Sequence, residues 1–240
     1  MKKKILSIII FPLSVFFLSC TLNENTDLSF LGNYNDKELE HFIMTGFVNE
    51  KFIVKWKSEM RIEAAGLFYE EDIKMIDDFI ALIHSLVPKL PIMRVNSNGN
   101  VKVDFSDPPK GYSALTRRKW TALGYLYKCH VWISPINSGG TRKKLFYHEM
   151  MHVLGFDDPD PLIYHNGVLG FPPVKTFEER DSSLEHFELK ELAKSAIEIL
   201  YNENVKGKMN KRRFTGVIEH LQSQKCMKKP PSTNNVIHDQ

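Results

Sequence analysis

The sequence predicts one α+β domain, and two patterns carry that reading. Short runs of β-branched and aromatic residues, set off by turn signals, fill much of the first half, and stretches of helical periodicity lie between and after them. A chain of 240 residues is long enough for one good-sized domain, and 42% hydrophobic with 25% charged residues is the composition of a globular protein. The formal net charge of +3 is too small to imply a nucleic-acid partner, and much of it sits in the first few residues.

Taken in order, Phe52 to Trp56 (FIVKW) has the β-branched and aromatic character of a first strand. A helix follows from about Glu70 to Val87, with Ile73, Ile76, Ile80, Ile83 and Val87 at helical spacing, and Pro88 stops it. Ile92 to Val95 and Val101 to Phe105 flank Asn96 to Asn100, whose residues tolerate positive φ, so a hairpin or a tight strand connection is expected. Leu123 to Ser134 reads as one long strand or two short ones broken near Lys128. After a Ser138-Gly139-Gly140 loop, a helix is expected over 141–154. Pro159 to Pro173 is rich in proline and reads as loop. Ser182 to Tyr201 is a second long helix, opened by Ser182 and Glu185 at capping-box spacing. A short helix from Thr215 to Gln224 precedes a loose tail over 225–240.

The N-terminus carries an address. Lys2, Lys3 and Lys4 precede an apolar run from Ile5 to Leu18, too short to span a bilayer comfortably and suited to the core of an export signal. It ends in Phe17-Leu18-Ser19-Cys20, which resembles the lipobox of bacterial lipoproteins, with Phe17 in place of the usual aliphatic residue. The resemblance implies a signal peptide over 1–19 and a lipidated Cys20; a plain secretory signal is the alternative. Residues 20–35 then form the lipidated cysteine and a flexible polar tether, and one domain over 36–224 works outside the cytoplasm, anchored on the bacterial cell envelope. In that oxidising setting Cys129 and Cys226 form either one disulfide or two free thiols.

The chemistry lies in the middle helix. His148 and His152 are four apart and face the same way, so both imidazoles can reach one ion. Glu149, one residue on, can reach a water on that ion as general base without being a ligand. Gly155 can end the helix and turn the chain, and Asp158 follows three residues later as a third ligand. A chain of this composition produces the whole HExxHxxGxxD pattern by chance roughly once in ten thousand. Asp157, Asp160 and His165 lie close to the same position, and Glu185 or Glu188 would serve if the third ligand came from a later helix.

HExxHxxGxxD resembles the metzincin clan of zinc peptidases, in the aspartate variant found in small secreted snapalysin-like enzymes. Similarity extends over about Lys51 to Gln224. The resemblance implies a twisted, mostly parallel sheet with two long helices and a small irregular C-terminal lobe holding a final helix. It implies Zn2+ as cofactor, a protein or peptide substrate, and hydrolysis by a zinc-activated water. It also implies a methionine turn beneath the metal, for which Asn204 to Asn210 with Met209 is the candidate, ahead of Met227. By analogy the strand within Leu123 to Ser134 aligns the substrate, with Tyr125, Tyr127 and His130 as lining groups. A monomer is expected, touching the membrane through its N-terminal lipid. The competing functions are a zinc-binding lipoprotein or degenerate peptidase that does not cleave, a surface adhesion lipoprotein, and a zinc hydrolase acting on a non-peptide bond.

Overall fold

Alternating apolar residues build the centre of the molecule. The computed structural model describes residues 26–49, 51–158 and 190–227. Along β4 (Val101–Phe105) Val101, Val103 and Phe105 are fully buried, and in β2 (Met60–Gly66) Met60 and Ile62 repeat the pattern. Cys129, Val131 and Ile133 do the same in β6 (Tyr125–Ile133). With β1 (Lys55–Trp56) and β3 (Ile92–Val95) these strands pair in parallel, and β5 (Ala114–Trp120) joins β6 antiparallel. Leu126 pairs with both Trp56 and Trp120, and Cys129 with both Val101 and Arg118. Strands β1 and β4 therefore lie along one side of β6, and β5 is an outer edge of a mostly parallel, six-stranded sheet. The α+β class is as the sequence predicts.

The buried face carries the helices. Phe79 of α2 (Glu70–Leu86) meets Phe146 and Tyr147 of α3 (Gly139–Leu154) edge to face, with ring centroids 5.9 and 6.0 Å apart. The N-terminal helix α1 (Asp36–Thr45) packs against α4 (Glu191–Tyr201), and α5 (Lys211–Met227) closes the described chain. Among the described residues no helix is long and apolar enough to cross a membrane.

Several expectations change. Strands β3 and β4 do not form a hairpin: both run parallel to β2, one on each side of it. The link between them crosses β2 at Gly99, where a Cβ would lie 2.5 Å from the Glu63 Cβ, while Asn98 takes the positive φ of 60°. The first strand is only Lys55–Trp56, because Phe52 leaves the sheet to bridge Val48 and Asn210. Strands β2 and β5 and helix α1 were not expected. The tether expected over 20–35 stops short, since Leu28 and Leu31 are buried around a 3-10 helix (Ser29–Asn33) and Asn35 caps α1 in a capping box. Helix α3 opens at Gly139 rather than Thr141, and α5 is longer than the helix expected from Thr215. Cys129 is a free thiol buried in the sheet, and the side chain of Cys226 lies outside the described residues. Helix α4 opens only at Glu191, after an extended Lys190, so the single helix expected from Ser182 to Tyr201 is not continuous. The signal peptide, Cys20, the loop from Pro159 to Pro173, residues 182–189 and the tail beyond 227 lie outside the described residues.

One buried group on α1 makes stability depend on pH. His41 is 2% exposed, and burial pushes its imidazole down from about 6.5 to about 4. Its contribution is therefore fully present above pH 6.5 and is lost as the pH falls toward 4. His41 alone is expected to contribute about 3 kcal/mol to the fall in unfolding free energy, measured in urea, across that window. A His41→Leu variant should show a shallower slope there, and an unchanged slope would refute the assignment.

Candidate metal centre

Helix α3 runs through the core, and its buried packing fixes which way its polar residues point. His148 is 8% and Glu149 5% exposed, flanked by buried Tyr147, Met150 and Met151. The i, i+4 spacing brings His148 Nε2 to 3.2 Å from His152 Nε2. At Gly155, φ is 121° and the backbone presses on the Val54 carbonyl, a place where any Cβ would collide. Gly155 N–H donates to Met151 and His152 carbonyls at 3.2 and 3.0 Å, and Phe156 N–H to Met151 at 3.1 Å. That turn swings Asp158 back, so that its Oδ1 lies 3.6 Å from His148 Nε2 and 3.5 Å from His152 Nε2.

These three distances allow a test for zinc. Ligands at about 2.0–2.1 Å in a tetrahedron lie about 3.3 Å from one another. Separations of 3.2, 3.5 and 3.6 Å match one face of such a tetrahedron, and no fourth His, Cys or carboxylate joins the three among the described residues. The ring of His152 is set for ligation: its Nδ1 lies 3.0 Å from the Phe156 carbonyl oxygen, to which it donates, leaving the Nε2 lone pair facing the site. Burial, with His148 beside it, pushes the His152 imidazole below its ordinary range, which favours the neutral form that ligates a metal. Glu149 stands beside the triad without joining it. Its Oε2 is buried and has no partner among the described residues. Burial raises its pKa, against the opposing pull of the Thr116 hydroxyl and His148.

The choice between the two adjacent aspartates follows from their contacts. Asp157 accepts from Arg118 Nη2 at 2.7 Å and from Asn49 N–H at 2.9 Å, so both its oxygens are engaged away from the histidines. Asp158 is the carboxylate that converges with them, and His148, His152 and Asp158 form the metal-compatible cluster among the described residues. Asp160, His165, Glu185 and Glu188 lie outside those residues.

The surrounding strands anchor the helix end. Thr116 Oγ1 of β5 donates to the Glu149 carbonyl at 3.3 Å, and Arg118 Nη1 to the Phe156 carbonyl at 2.7 Å. On the other side Trp56 Nε1 donates to the Val153 carbonyl and Tyr201 Oη to the Leu154 carbonyl, both at 2.8 Å. The last two bonds satisfy carbonyls of Val153 and Leu154 that the helix terminus otherwise leaves orphaned. Neither Thr116 nor Arg118 was expected at the site; both sit at alternate positions of a strand the sequence does not announce.

Met209 is 8% exposed in a tight turn after Lys208, whose φ is 62°. The turn is pinned to the chain beside Val54, since Ile53 N–H donates to the Met209 carbonyl and Lys208 N–H to the Ile53 carbonyl, both at 2.9 Å. Gly155 packs on the next residue, Val54, so the two turns share one support. The candidate lining residues of β6 do not join the triad. Tyr127 is exposed, Tyr125 lies under the Lys57 ammonium, and His130 stacks on Trp132 with Nε2 3.3 Å from Asp104. Nor is β6 an edge: that place belongs to β5.

Compared with the models of known protein families and with curated proteins, the chain matches none.

Proposed function

We propose that this protein is a zinc-dependent endopeptidase of metzincin type, working outside the cytoplasm on a lipid anchor at Cys20. The observation that carries the reading is the convergence of His148, His152 and Asp158 at tetrahedral spacing, with the unpartnered carboxylate oxygen of Glu149 beside them. A zinc ion bound there supplies Lewis acidity, polarising a carbonyl oxygen and acidifying water. Glu149 accepts a proton from the attacking water and delivers it to the leaving amine. Its buried setting raises its affinity for that proton, which suits a group that must first take it and then return it.

Strand β5 is the reading's substrate edge. Ser134 N–H bonds the Ser113 carbonyl, and antiparallel register alternates, so Ala114, Thr116 and Arg118 turn their main-chain groups outward. A peptide pairs there as an added strand, alongside the helix that bears Glu149. Met209 serves as the methionine beneath the metal. Substrates are proteins or peptides, the protein acts as a monomer, and nucleic acid is not a partner.

Zinc analysis after dialysis against a weak chelator tests the ligand set. The protein is expected to keep one zinc per chain, and Asp158→Ala to lose it. Full occupancy in Asp158→Ala would remove Asp158 from the site.

A further inference from the structure

We infer that Arg118, paired with Asp157, is the positioning residue that holds the third ligand in place and thereby sets zinc affinity; the inference rests on the metal-site reading above. Arg118 lies on β5, and its side chain, 12% exposed, crosses to the turn that follows α3. One guanidinium makes two bonds there, Nη1 to the Phe156 carbonyl at 2.7 Å and Nη2 to Asp157 Oδ1 at 2.7 Å. These acceptors are the two residues directly before Asp158. The Phe156 carbonyl is also the acceptor that fixes the His152 ring, at 3.0 Å. Arg118 thus braces the peptide that aims Asp158 and the oxygen that orients His152.

The remaining contacts of Asp157 serve the same turn. Its N–H donates to the Thr45 carbonyl at 2.7 Å, and Oδ2 accepts from Asn49 N–H at 2.9 Å. The turn is held from α1 and its following loop on one side and from β5 on the other. Asp158 itself has an exposed side chain, so its direction depends on that hold. Asp157 is also kept out of the metal by its own pairing, which leaves Asp158 as the ligand.

Charge and positioning predict opposite signs for one substitution. Arg118 is a cation near a divalent cation, so removing its charge should by Coulomb repulsion alone tighten zinc binding. Loss of positioning should weaken it, by the about 10–100-fold typical of residues that orient metal ligands. Competition with a chromophoric chelator, on the full chain with its fold checked by circular dichroism, reads the difference. Arg118→Met is expected to weaken zinc by about that factor, and Asp157→Asn, which keeps the side-chain shape, to weaken it in the same direction. In an Asp158→Ala background the further effect of Arg118→Met should shrink, because the ligand it positions is gone. The visible spectrum of the cobalt(II)-loaded protein should shift in Arg118→Met as the ligand field distorts. Zinc affinity that is unchanged or tighter in a folded Arg118→Met, or in a folded Asp157→Asn if the first does not fold, overturns the inference. Failure of the unsubstituted protein to bind zinc would instead overturn the metal-site reading.

Discussion

Glu149→Gln is expected to lower the kcat/KM for peptide cleavage by about 10²–10⁴-fold while zinc content stays at one per chain. The substitution keeps the size and most of the shape of the side chain and removes only its ability to accept and return a proton. Glu149 contributes no atom to the triad of His148, His152 and Asp158, so the metal has no reason to leave. Its carboxylate is nevertheless buried with Oε2 unpartnered, a cost that a purely structural residue would not carry. A glutamine there should even stabilise the fold slightly, since no charge is left on a buried side chain. Steady-state kinetics on a cleaved peptide, beside metal analysis and a urea melt, separates the three quantities. Equal cleavage by Glu149→Gln would show that the carboxylate is not the base.

Arg142→Met is expected to cost about 3–5 kcal/mol of stability, read as a lower urea midpoint. Arg142 in the first turns of α3 pairs with Asp72 at the start of α2, Nε to Oδ1 at 2.7 Å and Nη2 to Oδ2 at 2.8 Å. The pair is nearly sealed from solvent, with side chains 9% and 4% exposed. The same guanidinium donates to the Leu67 and Asn137 carbonyls at 3.3 and 3.4 Å and lies 4.7 Å from the Phe105 ring centroid. Removing it strands the Asp72 carboxylate in the interior, which is where most of the loss arises. The Asp72→Leu, Arg142→Met double variant should therefore lose less than the sum of the single changes. It will not recover fully, because Asp72 also accepts from Tyr69 N–H at 2.8 Å to cap α2. Additive losses would show that the two side chains act independently.

Local geometry explains what could be read from the residues alone. The spacing of His148 and His152 is a property of any α-helix, and Gly155 announces a turn because only glycine fits against Val54. The ends of β3, β4 and α2 were legible because turn residues and Pro88 bound them. What stayed hidden depends on distant partners. Met60–Gly66 has one β-branched residue and ends Ala-Ala-Gly, so nothing local marks it as the strand that β3 and β4 share. Ala114–Trp120 holds three consecutive cations, and its role as the edge comes from pairing with β6. Asp157 and Asp158 are chemically equal neighbours until Arg118, 39 positions away, engages the first. Leu28 and Leu31 look like incidental apolar residues in a polar tether, yet they complete the core beside α5.

The most direct measurement is a peptide library incubated with the zinc-loaded protein and read by mass spectrometry for newly formed termini. New termini are expected with one zinc per chain, to vanish when a strong chelator strips the metal, and to return when zinc is restored. One zinc per chain with no new termini, or cleavage that survives complete removal of the metal, would contradict a zinc peptidase.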